Sequence, residues 1–578
     1  VKKYFSILGK RTVRIPLFEY FEDKVSRFSV TERVIFYCAS TLFCLSALAL
    51  VFTMQEQVSL PVAAHGGILR EGILGTIRTF NPLFAATDAD RDFAKLVFAG
   101  LTAHSDTGFT PVLADTITIS PDGRTYRITL KREALFHDNT PVTAEDVRFT
   151  IERIQNTGTQ SAFAPLWQGV QVKVVDLRTI ELSLENPYAN FSEALTTPII
   201  PEHIWKDIDP AQMAFTSRED AIGAGPYSLV QVQAGATTET EIFTLRSFNE
   251  YVLGTPYIET IELHTFDSIE KLQAAFLAGG LDSTPEFISE SEEVVSTATS
   301  VLPRLFAAFF NSGAHRALAQ AEVREALSLA VDRQTLIDET LGNTRAVAIN
   351  TPRGFLVGSS TPNTTRAKDL LKKAGWKVNS KDGVLEKKVG TEMLRLDFTI
   401  STAQSDDLTR VAQSLQNQWN DIGIRTDIKV FELGDLNQNI ISPRRYEILV
   451  FGQSLGRERS LYPYWHSLER EAPGYNISLY ANQAVDKLLV KSESSTTTEE
   501  RTRALSQAEQ LIMKDIPAVF LYSPNLQYTR VNRIFNLTLP RTIEYPSDRF
   551  NLIHRAYIIT QKLWPFFIKT DNIIHKQN

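Results

Sequence analysis

"FHDNTPVTAEDVRFTI", residues 136–151, brings a histidine, three acidic residues and an arginine into sixteen positions. That density suggests a metal site or a proton relay, but the spacing says otherwise. Thr143 to Asp146 spells T-x-x-D ahead of apolar Val147, Ile151 and Ile154, which fall at i, i+4 and i+7. This is a helix start: the Thr143 hydroxyl can accept a first-turn N–H, and Glu145 and Asp146 meet the positive end of the dipole. His137, Asp138, Asn139 and Pro141 then belong to the preceding turn. A single histidine beside a solvated carboxylate lacks the convergent ligands a metal requires, so the stretch is expected to be scaffold.

The chain around it has 578 residues, 43% hydrophobic and 22% charged, which is enough for two or three domains with large cores. A net charge of -7 and a pI near 5.9 disfavour a phosphate-neutralising surface, so no nucleic acid partner is expected. The only cysteines, Cys38 and Cys44, lie together in one apolar run, which excludes a disulfide framework or thiolate metal site elsewhere.

That run, Val34 to Met54, carries no charge. At ~1.5 Å per residue it reaches roughly 30 Å, the thickness of a bilayer's hydrocarbon core. Eight basic residues precede it against four acidic ones, so residues 1–33 are expected in the cytoplasm, 34–54 across the membrane and the rest outside. The competing reading is a cleaved signal peptide, with Val62-Ala63-Ala64 as the cut. The long basic segment and the length of the apolar run favour a retained signal anchor.

Beyond the anchor, Thr116–Ser120 and Thr125–Leu130 read as strands joined by the turn Ser120-Pro121-Asp122-Gly123, and Val170–Val175 with Thr179–Leu184 as a second pair. Val323, Ala326, Leu327, Ala330 and Val331 form an apolar helical stripe in a segment that Gly342 closes; Val411, Leu415, Trp419 and Ile422 form another, closed by Gly423. Ile424–Phe431 and Tyr446–Phe451 look like strands. The mixed order fits α/β layers. Ser492–Glu500 reads as a surface loop or helix lead-in.

Gly452-Gln453-Ser454-Leu455-Gly456 matches G-x-S-x-G after a strand, the nucleophile elbow of serine hydrolases. An elbow needs a helix at once after the serine, and Pro463 interrupts early. The other reading is that glycines after a strand let backbone approach a partner closely, at the carboxyl end where open α/β sheets bind ligands.

Several short motifs now fall in order: Phe80-Asn81-Pro82-Leu83, Val97-Phe98-Ala99-Gly100-Leu101, Ser120-Pro121-Asp122-Gly123, the opening stretch, Gly223-Ala224-Gly225-Pro226-Tyr227, Val323-Arg324-Glu325-Ala326-Leu327 with Asp332-Arg333, and Asp515-Ile516-Pro517. In this order, from about His65 to Arg541, the chain resembles the family 5 solute-binding proteins of ABC importers, the oligopeptide, dipeptide and nickel cluster. The resemblance implies a type II periplasmic-binding fold, two lobes around a ligand cleft plus an added domain. On that pattern lobe I comprises 65–103, 218–300 and 515–578, the added domain 104–217 and lobe II 301–514. It implies binding without catalysis or cofactor, ligand-driven closure, and permease subunits as partners.

A peptide ligand's N–H and C=O groups must be satisfied when buried, and strand-like pairing meets that need whatever the side chains. The family's two strand-like segments map to Ala86, Thr87 and Asp88 and to Gly452, Gln453, Ser454 and Leu455. Glu458 is the nearest acid to pair with a ligand amine, although its neighbours Arg457 and Arg459 offer the opposite reading, a ligand carboxylate. Tyr462, Tyr464, Trp465 and His466, with Phe163 and Trp167 from the added domain, are candidates for lining the cleft; ordinary core packing is the alternative for each. A nickel complex or another small solute in the same fold is the alternative ligand, and a serine hydrolase using Ser454 the alternative activity.

Overall fold

The computed structural model describes residues 24–25, 27–58, 60–105, 108–159, 161–185, 191–215, 217–235, 241–285, 295–342, 345–356, 361–457, 459–495, 497–540 and 543–563. The chain divides into two units, residues 1–64 with 559–578 and residues 65–558. In the first, helix Val30–Val58 precedes strand Leu60–Ala64, which pairs antiparallel with Ile559–Leu563. The helix begins at Val30 because Ser29 caps it: the Glu32 N–H donates to Ser29 Oγ at 3.4 Å, and the Ser29 N–H donates to the Glu32 carboxylate at 2.8 Å. Val30–Leu50 has mean hydropathy 1.8 with none of it buried, and is long and apolar enough to cross a membrane.

The second unit is organised by two large hydrophobic cores. The first gathers side chains between Leu69 and Leu263 and again between Tyr528 and Ala556. The second runs from Leu305 to Tyr522. In the first core, strands Ala114–Ile119, Thr125–Leu130, Thr179–Ser183 and Gln171–Asp176 form an antiparallel sheet in that order, packed by helix Ala144–Gln155. Gly123 takes φ +70° in the expected turn. The T-x-x-D signature is a capping box, with the Thr143 N–H donating to Asp146 Oδ2 at 2.8 Å and the Asp146 N–H returning to Thr143 Oγ1 at 3.4 Å.

His137 is scaffold. Its Nδ1 accepts the Gly223 N–H at 3.3 Å and its Nε2 donates to the Gly225 carbonyl at 3.1 Å. Burial pushes its pKa down to about 4, so the ring is neutral and its tautomer is fixed by these two bonds. The glycines it holds lie against the end of helix Asp88–Val97: a Cβ on Gly223 would come within 2.1 Å of the Val97 oxygen, and one on Gly225 within 2.5 Å of the Val97 carbonyl carbon. The Gly-Ala-Gly motif thus marks a backbone contact.

One long strand, Ala518–Val531, serves both cores. Its first half pairs with Arg304–Phe310, in register Phe309↔Ala518 and Phe306↔Tyr522, and its second half pairs with Val295–Val301, from Val301↔Asn525 to Val295↔Val531. The other motifs brace this strand. Arg324 donates to the Asp515 carbonyl at 2.8 Å and to the Ile516 carbonyl at 3.1 Å, and Arg333 to the Phe520 carbonyl at 2.7 Å.

The helical segment expected to run to Gly342 is two helices, Ala321–Ala330 and Arg333–Thr340. Asp332 breaks it by capping the second, its carboxylate accepting the Thr335 N–H at 3.1 Å. The second predicted helix is Asp406–Asn420, ended by Gly423 at φ +84°. Ser492–Glu500 divides between the end of helix Gln483–Ser494 and the start of Thr498–Asp515, which Thr497 caps.

A buried ion cluster ties the C-terminal segment to the first core. Arg549, fully buried, forms two bonds of 2.7 Å to Asp92 and one of 2.9 Å to Glu71, which also accepts from the Tyr528 hydroxyl at 2.9 Å. Burial raises the Asp92 pKa to about 6 despite the pull of Arg549. Arg549→Met leaves two carboxylates buried without their cation, and a loss of about 3–5 kcal/mol is expected. The measurement is the chemical-unfolding midpoint of the full-length protein in detergent; an unchanged midpoint would contradict a structural role for the cluster.

Candidate functional site

The strand after helix Asp406–Asn420 and its partner Arg425–Phe431 is Ile448–Ser454, longer than the sequence suggested because it runs on through Gly452 and Ser454. It pairs antiparallel with Arg304–Phe310 along its whole length, ending at Arg304↔Ser454. On its other edge it pairs with Asp397–Ala403 only over Ile448, Leu449 and Val450. Among the described residues, Phe451 to Ser454 therefore present a strand edge with no neighbouring strand. A Cβ on Gly452 would lie 2.7 Å from the Phe306 ring, which explains the glycine. The Phe306 ring stacks on Tyr522 at 4.8 Å and 10°.

Ser454 is exposed and ends the strand; a turn through Gly456 follows, and the next helix waits until Tyr462–Trp465. Among the described residues no helix starts directly after the serine, as a nucleophile elbow requires. Gln453 is buried and donates to the Tyr475 carbonyl at 2.9 Å. Leu455 is buried in the second core, and its N–H donates to the Pro303 carbonyl at 2.7 Å, a bond that closes the end of the strand pair.

The opposing segment is not a strand. Pro82–Phe84 is a single 3₁₀ turn, Ala86 is exposed, and Thr87 caps helix Asp88–Val97. The Thr87 N–H and hydroxyl are both engaged with Asp90, at 3.1 Å each. The expectation of two strand-like segments is therefore corrected: Thr87 and Asp88 open a helix because a capping box follows Asn81-Pro82. Asp88 lies 3.1 Å from Arg91 and 4.0 Å from Arg304 of the strand beside Ile448–Ser454.

The tryptophans are core residues. Trp465 is fully buried between Phe309, Tyr480 and Phe520, and Trp167 packs on Phe191 while its indole donates to Thr197 at 2.9 Å. Both serve packing, which corrects their expected place in the lining. Phe163 is half-buried against the first core, and Tyr462 is half-buried and stacked on His466 at 4.4 Å. Glu458 lies outside the described residues.

Sequence reasoning missed the acids that the fold does bring to this region. Asp548 accepts from Arg457, just past the exposed strand edge, at 2.5 Å, with both side chains nearly buried. Burial works to raise the Asp548 pKa, but Arg457, Lys95 and the Glu544 N–H outweigh it and hold it below the usual carboxylate range. Glu544 stands beside Gly456, where an added Cβ would lie 3.8 Å from its Oε1. Burial, with Glu193 and Asp548 nearby, raises the Glu544 pKa to about 7. Tyr545 lies under the Arg91 guanidinium at 4.5 Å, and the Tyr464 hydroxyl donates to the Ser454 carbonyl. No local pattern marks residues 544–548; only the fold sets them against Arg91 and Arg457. Among the described residues, no group of three or more His, Cys, Asp or Glu is placed to hold a metal ion.

Comparison with known proteins decides what this arrangement belongs to. Residues 108–470 match the model of bacterial extracellular solute-binding proteins, family 5 Middle, which is more than half of the chain. The chain belongs to this family. It is an extracytoplasmic solute-binding protein of the ABC-importer type, a binding protein and not an enzyme. Among relatives, it is 26% identical over 484 residues to the oligopeptide-binding protein AppA of Bacillus subtilis, covering 80% of this chain and 87% of AppA. It is 25% identical over 472 residues to the glutathione-binding protein GsiB of Salmonella choleraesuis, covering 76% of this chain and 85% of GsiB.

The fold is the family 5 fold. The structure of Bacillus subtilis AppA with a nonapeptide superposes with TM-score 0.66 at 23% identity, covering 86% of this chain and all of that one. NikZ of Campylobacter jejuni with Ni(L-His) gives TM-score 0.66 at 22% identity, covering 85% and 99%. The predicted two-lobed periplasmic-binding architecture with an added domain is thereby met.

Glu544 gives this family member a pH signature. With its folded pKa raised to about 7, the folded state holds a proton that the unfolded chain has released. Its contribution to stability therefore falls as pH rises from the ordinary glutamate pKa, about 4.3, towards 7. Relative to Glu544→Gln, the wild-type protein is expected to lose thermal stability across that window. Parallel melting curves between pH 4.5 and 7.5 measure it, and curves that stay a constant distance apart rule it out.

Proposed function

We propose that this chain is a membrane-tethered receptor that captures peptides for an ABC permease, holding them by main-chain hydrogen bonds in the interlobe cleft. The observation that carries this reading is the strand edge at Phe451 to Ser454, left without a neighbouring strand where Ile448–Ser454 extends past Asp397–Ala403. An extended ligand can complete that sheet, and its amides then find partners without reference to side chains. The likeness to the oligopeptide-binding protein AppA supports a peptide as the ligand. On this reading Gly452, Gln453, Ser454 and Leu455 supply or shape the edge, Ala86, Thr87 and Asp88 face it, and Phe163 and Tyr462 border it.

Domain closure follows from differential binding. A ligand held by both lobes favours the closed form by whatever its bridging contacts are worth in that form alone. Helix Val30–Leu50 acts as a retained anchor and keeps the receptor near the permease, which raises effective concentration without any new contact.

Isothermal titration of the full-length protein in detergent tests the ligand. Short peptides of varied side chains are expected to bind one per protein with affinities within about tenfold, or about 1.4 kcal/mol, of one another. Backbone N-methylation should weaken them more than side-chain changes do. Absence of saturable heat with every peptide, or equal affinity for methylated ones, defeats the proposal. The anchor has its own test: intact mass of the membrane-extracted protein should include Val30–Val58, and a new N-terminus near Ala64 would show cleavage instead.

A further inference from the structure

The strand pair beyond the membrane helix sets the course of the chain's last described residues. Helix Val30–Val58 ends two residues before strand Leu60–Ala64, which pairs antiparallel with Ile559–Leu563 in a register running from Leu60↔Leu563 to Ala64↔Ile559. The returning chain therefore enters the pair opposite Ala64 and runs back towards the point where the helix ends. Next in sequence after Leu563 comes Trp564-Pro565-Phe566-Phe567-Ile568, which lies outside the described residues, with Lys562 before it and Lys569 after it.

Covalent geometry bounds how far this run starts from the bilayer. The charge-free run of the helix ends at Met54, and the four residues to Val58 carry the chain about 6 Å further. The step from Val58 to Leu60 adds at most about 7 Å, and the step across the strand pair to Leu563 about 5 Å. Leu563 is thus within roughly 18 Å of the hydrocarbon boundary, and the headgroup layer fills about 5–7 Å of that gap. Five extended residues span roughly 17 Å, so residues 564–568 reach the headgroup layer with chain to spare.

Their chemistry decides where they rest. Trp and Phe favour the headgroup level, where the ring faces leave water while polar edges stay wet. Five apolar residues are too few to cross a bilayer, and their backbone N–H groups need the water that persists at the interface. Pro565 removes one N–H from that demand. Lys562 and Lys569 bracket the run with ammonium groups suited to the phosphate level. The strand pair offers no other shelter: of its described residues only Val62 is buried, and Leu60, nearest the helix, is 40% exposed.

We infer that Trp564 to Ile568 make a second membrane contact, an aromatic anchor in the headgroup layer beside the end of helix Val30–Val58. The inference rests on the reading of that helix as a retained anchor. A single helix lets the outward part swivel about its tether; a second contact just past Leu563 limits that rotation.

Trp564 reports on its own position, because the other five tryptophans, Trp167, Trp205, Trp376, Trp419 and Trp465, are buried. Full-length protein is reconstituted into phosphatidylcholine vesicles containing lipid brominated either near the headgroup or near the chain ends, and its intact mass is recorded. Headgroup-proximal bromine should quench wild-type emission at least about twofold more than that of Trp564→Phe, and more than chain-end bromine does. Replacing Phe566, Phe567 and Ile568 together by Ser should cut the Trp564 share of the quenching about twofold or more. Should that triple variant fail to fold, the comparison with Trp564→Phe decides alone. Equal quenching in wild type and Trp564→Phe, with an intact mass that includes Val30–Val58, overturns the inference and leaves the helical anchor standing. A mass that begins near Ala64 overturns the helical anchor, and this inference with it. Stronger quenching from the chain ends, full quenching in a folded triple variant, or a Trp564 emission that ignores the lipids and shifts with protein concentration, as contact with a second copy would cause, also overturns it.

Discussion

Two cores share one strand, and most of the molecule's geometry follows from that sharing. Ala518–Val531 gives its first half to the sheet of the second core and its second half to the first, so the register on one side fixes the placement of the other. Any relative movement of the cores has to be absorbed within this strand and its neighbours. The chemistry for it is present where the partners change. Pro524 contributes no N–H to the ladder, and the pairing with Arg304–Phe310 shifts register between Phe306 and Ala307.

Charge then fastens what the strand leaves adjustable. The return segment after the strand carries Glu544, Asp548 and Arg549, and each faces a different element. Arg549 is locked to Asp92 and Glu71 inside the first core, while Asp548 reaches Arg457 on the far side of the exposed edge. The first set has no solvent to retreat to and is structural. The second joins elements from both cores, so its strength depends on how closely they approach.

The scaffold was legible in the sequence because its signals are local. Thr143 and Asp146 cap their helix within one turn, Gly123 turns its hairpin, and Gly423 ends its helix, all readable from a few adjacent residues. One local signal was overruled by another: Asp332 caps a new helix and splits a stripe that continued through it. The site was less legible for the converse reason. Asp92 and Arg549 lie 457 residues apart, and nothing near either announces the other. Trp167 and Trp465 illustrate a second limit, since an aromatic near a ligand segment reads the same whether it faces a cleft or a core; only the packing of Phe191, Phe309 and Phe520 around them decides it.

Tyr464 adds a condition on any guest that uses the open edge. Its phenol already donates to the Ser454 carbonyl, so that acceptor is satisfied before anything arrives. A guest amide can reach only the second lone pair of this oxygen while the phenol stays, or must displace the phenol in an exchange of one donor for another with little net gain. Either way the Tyr464 ring sets the direction from which that end of the edge can be approached, and discrimination between guests becomes a question of which ones fit beside it.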